Sequence, residues 1–163
     1  MIEATLNWTD NERYIGTATS RHAIVLDTAA EKTANTPMEL VLIALCGCTA
    51  SDVVGILRKK REPFTGLEVS AKGERADGYP AVYNSIHLTY KVRGNVSKKA
   101  MEDAVRLSKE KYCSVSAMLE KTAKITPFCR FMDLFLQFIP QSLTQITTNR
   151  HLKKRQEPLC QMR

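Results

Sequence analysis

The stretch Thr36-Pro37-Met38-Glu39-Leu40-Val41-Leu42-Ile43-Ala44-Leu45-Cys46-Gly47-Cys48-Thr49 decides the architecture of this chain. Thr36 fits a helix N-cap, Pro37 the first helical position and Glu39 the third. In such a capping box, hydroxyl and carboxylate reciprocally satisfy backbone N–H groups that a helix start leaves unpaired. The helix is predicted to run to about Arg61, because Pro63 cannot carry it on. Met38 to Leu45 is apolar on nearly every side, so this half is expected to be buried all round. The second half turns amphipathic, with Val53, Val54, Ile56 and Leu57 inward and Arg58 to Arg61 outward, at the helix end that favours cations.

Upstream, Ile2, Ala4, Leu6 and Trp8 alternate with polar residues, the pattern of a half-buried strand. Asp10-Asn11-Glu12 reads as a turn, and Tyr14–Thr19 and His22–Leu26 as two further strands of an antiparallel meander. Downstream, Leu67, Val69 and Ala71 mark a strand, and Asp77-Gly78-Tyr79-Pro80 a turn. Val82–Val92 gives a long strand with Ile86, Leu88, Tyr90 and Val92 on one face. Ser97 caps a second helix with Met101, Ala104, Val105 and Ser108 as its inner stripe, and a short third helix starts after Tyr112-Cys113-Ser114. The class is therefore α+β. From about Thr126 the character changes: Phe128, Phe131, Phe135 and Phe138 follow a helical spacing that Pro140 stops, and a basic tail follows. The chain is thus divided at residues 1–126 and 127–163. The second part reads as a packed C-terminal helix with a frayed end, or as a helix for a partner or membrane surface.

The 163 residues suffice for one domain with a sizeable core. The net charge of +7 comes largely from Arg150, Lys153, Lys154 and Arg155, and no nucleic-acid motif accompanies it. Met1–Trp8 lacks the basic and apolar regions of a secretory leader, and no apolar stretch is read as reaching the ~20 residues of a membrane span. A cytoplasmic location, with no membrane and no nucleic acid as partner, is expected, and there thiols stay reduced unless they do redox chemistry.

Against that background Cys48 and Cys113 stand out among five cysteines. Cys48 lies in the middle of the apolar helix, whereas Cys113 opens a helix beside Lys109 and Lys111, a setting that lowers a thiol pKa. If the fold brings them together, they form a redox pair. Cys46 and Cys48, two apart on a helix, point away from each other, and His22, His87 and His151 show no ligand spacing with them, so neither a metal nor a cofactor is expected. His87 reads as an ordinary sheet residue, Asp52, one turn beyond Cys48, as polar helix surface or a site group, and Cys129 and Cys160 as incidental.

Three stretches carry a resemblance to the OsmC/Ohr superfamily of thiol-dependent peroxidases, within it to the YhfA-like branch. They are Thr36–Leu40, Gly47-Cys48-Thr49-Ala50-Ser51-Asp52-Val53-Val54, and Glu110-Lys111-Tyr112-Cys113-Ser114-Val115-Ser116-Ala117-Met118-Leu119-Glu120-Lys121. The order of elements over residues 1–126 agrees with that superfamily. The resemblance implies an intertwined homodimer whose partner helix and sheets cover the apolar helix. It implies that Cys48 is the peroxidatic thiol and Cys113 the resolving one, with an organic hydroperoxide or hydrogen peroxide as substrate and a dithiol as reductant. It also implies an activating Arg held by a helix-start Glu. Glu39 matches the Glu, but no arginine lies between Arg21 and Arg58, which leaves Arg21 as the candidate. The alternative is a non-catalytic member of the superfamily, a thiol sensor or a binder of a small hydrophobic ligand. Such chains close with a short strand soon after the position of Ile125, where this one is expected to enter its Phe-rich helix instead.

Overall fold

The structure, a computed structural model, describes residues 1–132. These residues form two compact units that meet within the first helix, Met1–Ala44 and Leu45 onward.

The first unit holds β1 (Ala4–Asp10), β2 (Arg13–Ala18) and β3 (Ala23–Asp27), an antiparallel meander in that order. Leu6 pairs with Gly16, which pairs with Ile24. A Cβ on Gly16 would meet Leu6, Ile24 and Leu26 at 3.3–3.5 Å, so the small residue lets three aliphatic side chains close over the middle strand. Asn11 sits in the left-handed region (φ 44°), where asparagine is tolerated, and the Trp8 indole N–H donates to its carbonyl at 2.8 Å. At the end of β3, Asp27 is 2% exposed. Its carboxylate accepts from the backbone of Ala29 and Thr33 (2.9 Å each) and from the Thr33 hydroxyl (2.6 Å). Those bonds, the Thr33 hydroxyl foremost, hold the Asp27 pKa down to about 2. The loop so fastened delivers the chain to Thr36.

There the predicted capping box forms. The Thr36 amide and hydroxyl donate to Glu39 Oε2 at 2.7 and 2.8 Å, and the Glu39 amide donates back to Thr36 Oγ1 at 3.3 Å. The helix it starts is α1 (Pro37–Lys59). Two expectations about α1 are corrected. With 23 residues it is long and apolar enough to cross a membrane by length and composition. Nor is its first half buried all round within one chain: Ile43 and Ala44 are exposed, and burial is complete only along Leu45, Thr49, Val53 and Leu57. That four-residue spacing is one helical stripe, so among the described residues only that face of α1 is fully covered.

The second unit continues from α1 into β4 (Phe64–Arg75) and β5 (Tyr83–Gly94), an antiparallel pair. Ile86, Leu88, Tyr90 and Val92 of β5 are buried, the face that alternation predicts. Ser97 caps α2 (Lys98–Leu107) through the Ala100 amide at 3.2 Å and is itself gripped by Glu62 at 2.9 and 3.0 Å. Ala100, Met101, Ala104 and Val105 form the buried stripe of α2. One π-helical turn, Ser108–Tyr112, links α2 to α3 (Ser114–Leu119).

The chain then corrects a third expectation. Phe128 and Phe131 lie not on a helix but on β6 (Lys124–Met132), which pairs with β5 in parallel. Ile125 and Cys129 are both buried, opposite Ile86 and Tyr90, so a period of two overrides the three-residue spacing of the phenylalanines. Pro127 is tolerated because β6 is an edge strand with a single neighbour. The expected boundary between residues 126 and 127 thus falls inside a strand. Phe135, Phe138, Pro140, the basic cluster around Lys153, His151 and Cys160 lie outside the described residues.

Candidate thiol site

The site is drawn from three elements of the second unit. On α1, Cys48 and Thr49 lie one turn before Asp52 and Val53, so Cys48 and Asp52 share one side of the helix. On β5, Tyr90 projects from the buried face. The third contribution comes from the π-helical turn, where the Cys113 amide donates to the Ser108 carbonyl at 2.8 Å, five residues back. A five-residue closure widens the turn by one residue and lets both Ser108 and Cys113 face the core, with 0% and 2% exposure. Cys113 is also the N-cap of α3, its Sγ accepting the Ser116 amide at 3.4 Å.

The result is a cluster in which Cys48 Sγ, Cys113 Sγ and a carboxylate oxygen of Asp52 all lie within 4.8 Å of one another. Asp52 is half-buried and accepts a hydrogen bond from the Ser108 hydroxyl at 2.9 Å. Ser108 meets Thr49 Oγ1 at 2.9 Å, and Thr49 meets the Tyr90 hydroxyl at 2.7 Å. An ionised carboxylate accepts only and each hydroxyl carries one proton, so the direction of every bond is set. Tyr90 donates to Thr49, Thr49 to Ser108, and Ser108 to Asp52. Burial pushes the Tyr90 pKa up, which keeps its proton in place as the first donor of this chain.

Where the residues singled out in the sequence fall can now be stated. Cys48 and Cys113 are brought together, but their environments are the reverse of those expected. Cys48 is half-buried, and Cys113 is the buried thiol. Burial pushes the Cys113 pKa up, more than the bond from Ser116 lowers it, with the Cys48 thiol adding to the rise. The expected cationic activation is absent because its agents are engaged elsewhere. Lys109 pairs with Glu120 at 3.3 Å, and Lys111 lies over the Tyr112 ring at 5.5 Å. Asp52 is not plain helix surface but the third member of the cluster. Burial raises the pKa of Cys46, which is half-buried. Cys129 is a buried strand residue in register with Tyr90, and His87 bonds Thr126 across β5 and β6.

Glu39 and Arg21 belong to the first unit. Glu39 is exposed and occupied by the capping box, which lowers its pKa, with Lys32 contributing less. Arg21 is exposed in the β2–β3 turn at φ 61°, its amide donating to the Ala18 carbonyl at 2.8 Å. Thr49, Ser108 and Tyr90 were not singled out as a group. The available signal was three hydroxyls at positions whose periodicity is that of core.

Asp52 also lines a cavity of about 430 Å³, together with Ser51, Gly55, Ile56, Lys59, Lys60, Leu107 and Tyr112. A groove walled by apolar side chains and two lysines therefore meets the cluster at Asp52.

An α+β chain with two thiols and a carboxylate gathered between a central helix and a π-helical turn defines a thiol-site protein of the OsmC type. Residues 30–127 match the family model for OsmC-like protein. The chain is 40% identical over 126 residues to Protein YhfA of Escherichia coli strain K12, covering 77% of this chain and 94% of that one. A hypothetical protein from Aquifex aeolicus VF5 superposes with a TM-score of 0.75 at 30% identity, covering 82% of this chain and 97% of its own. An organic hydroperoxide resistance protein from Elizabethkingia anophelis shares the fold with a TM-score of 0.66 at 13% identity, over 81% and 96%. The chain belongs to the OsmC-like family.

Proposed function

We propose that the protein is a thiol-dependent peroxidase that reduces organic hydroperoxides or hydrogen peroxide. The observation that carries this reading is the approach of the Cys48 and Cys113 sulfurs to within 4.8 Å. In a disulfide the two sulfurs would stand ~2.05 Å apart. Cys48, the more accessible sulfur, attacks the outer peroxide oxygen as a thiolate. The O–O bond breaks, an alcohol or water leaves, and Cys48 becomes a sulfenic acid. Cys113 then condenses with it, water leaves and the disulfide forms, to be reduced by an external dithiol. The groove beside Asp52 offers Ile56, Leu107 and Tyr112 to the alkyl part of a hydroperoxide. Membership of a family that includes hydroperoxide-resistance proteins supports the same reading. In the working form we infer a homodimer, in which a partner covers the exposed side of α1 and Arg21 serves as the activating cation held through Glu39.

One observation favours the alternative, a thiol sensor or ligand-binding member of the family. The cluster carries a carboxylate, and among the described residues none of its three members is in an ion pair with a cation. A single experiment separates the two. The reduced protein is mixed with one equivalent of cumene hydroperoxide, and intact mass and peptide mapping follow the products. A Cys48–Cys113 disulfide formed within seconds, abolished by Cys48→Ser and replaced by a trapped Cys48 sulfenic acid in Cys113→Ser, supports the peroxidase. No oxidation, or oxidation spread over Cys46 and Cys129, overturns it.

A further inference from the structure

We propose that the reduced site is also a binding site for a thiophilic divalent cation of the zinc class, held by Cys48 Sγ, Cys113 Sγ and an Asp52 carboxylate oxygen. Two sulfurs and one oxygen form a donor set suited to tetrahedral zinc, with a fourth position for water or an exogenous ligand. With Zn–S near ~2.3 Å and Zn–O near ~2.0 Å, the ligand atoms of a tetrahedral site stand about 3.5–3.8 Å apart. Here each pair already lies within 4.8 Å, so a contraction of at most about 1.3 Å completes the site.

The surroundings are those of a supported ligand set. Asp52 accepts from Ser108, which accepts from Thr49, which accepts from Tyr90, a chain that fixes the carboxylate from behind. The Ser116 amide donates to Cys113 Sγ and steadies the second ligand. A carboxylate beside two thiols calls for positive charge; of the nearby cations, Lys109, Arg106 and Lys60 are engaged by Glu120, Glu110 and Asp103, and Lys59 lines the cavity that Asp52 also lines. Cys48 and Asp52 are only half-buried, which leaves a side open for ion entry and for the fourth ligand. Binding displaces the thiol protons, and a disulfide abolishes two of the three ligands, so metal occupancy and the oxidised state exclude each other.

The inference uses the geometry of the reduced thiols and not turnover, so it is tested without peroxide. The fully reduced wild-type chain is titrated with Co²⁺ under anaerobic conditions and with Zn²⁺ against a chromophoric chelator. One ion per chain is expected, with sulfur-to-cobalt charge transfer and the intense d–d bands of tetrahedral coordination. X-ray absorption of the zinc form of the wild-type protein is expected to show two sulfurs at about 2.3 Å and oxygen at about 2.0 Å. Cys48→Ser removes the cobalt signature, Ser108→Ala weakens binding by about 10–100-fold, and Cys46→Ser changes neither. The absorption measurement needs no variant, so misfolding of a mutant cannot obscure the result. A coordination shell without two sulfurs, unchanged binding in Cys48→Ser, or no stoichiometric binding overturns the proposal. Failure of the peroxide experiment above leaves these readouts untouched, and the converse holds too.

Discussion

Asp52 follows Cys48 by one helical turn, and a sequence reader has little reason to separate it from any polar residue on a helix flank. What distinguishes it is Ser108, 56 residues later, whose hydroxyl it accepts. The same holds for Thr49, which fits the stripe of Leu45, Val53 and Leu57 by spacing and differs from it only by carrying a hydroxyl. Thr49→Val keeps the shape and removes the middle of the chain, leaving the Tyr90 hydroxyl and Ser108 each short of a partner in a buried setting. The expected loss is about 1–3 kcal/mol, measured by urea denaturation, with Tyr90→Phe milder because it removes a terminal donor. At Cys113 the raised pKa fixes a pH dependence. The fold favours the protonated thiol, so its thiolate is scarcer at neutral pH than that of an ordinary cysteine. Any stability that this contributes is present below the ordinary thiol pKa and fades as pH rises through the higher folded value. Iodoacetamide labelling of Cys113 should therefore be slow at pH 7 and accelerate only above the ordinary thiol range. Labelling at neutral pH as fast as a free thiol would contradict the burial described.

Elements differed in how far their sequence revealed them. α1 announced itself through Thr36, Pro37 and Glu39, because a capping box is a local device that needs nothing from the rest of the chain. Thr36→Ala should lower stability by about 1 kcal/mol in thermal unfolding, without moving the strands. β6 was misread for the opposite reason. Its phenylalanines are spaced like a helix face, and only the partner register with β5, a contact across some 40 residues of chain, imposes the alternation. The π-helical turn was visible only as an interruption near Tyr112-Cys113-Ser114. Its wider closure sets the direction of Cys113. Inserting an alanine after Glu110 should leave the helices intact but rotate Cys113 by about 100° around the axis. Helical circular dichroism should survive while the peroxide-induced Cys48–Cys113 disulfide is lost; a variant that still forms it at the wild-type rate would show that the turn does not aim the thiol. The Asp27 loop has its own acid limit. Its folded pKa of about 2 lies below the ordinary carboxylate range, so its stabilisation is full above about pH 4 and vanishes as pH falls through about 2. In Asp27→Asn the amide proton of Thr33 should exchange faster at neutral pH.

At the scale of the whole molecule, apolar surface is left over. Leu6, Trp8, Ile24 and Val25 of the meander are 55, 67, 41 and 48% exposed, and Ile43 of α1 is 54% exposed. Such residues on three elements, β1, β3 and α1, exceed what scattered surface hydrophobes explain. A chain that is a homodimer accounts for them, as it accounts for a central helix with a single covered stripe. Light scattering should report twice the mass of one chain, and Ile43→Asp should shift it toward the monomer. A monodisperse monomer at micromolar concentration would remove the dimer from the proposed working form.

The difference in depth between the two sulfurs bears on how such a protein would be recharged. Once joined, Cys48 offers the only sulfur an incoming reductant can approach, since Cys113 is 2% exposed. Attack must land there, so the mixed disulfide would be regiospecific, and Cys113 would always be the leaving group. A thiol whose proton is held unusually tightly leaves reluctantly. The bridge would therefore resist the small monothiols that surround it and yield to a dithiol, whose second sulfur makes the first attack irreversible. Partner choice would then be written in the burial of one atom, with no docking surface required to enforce it.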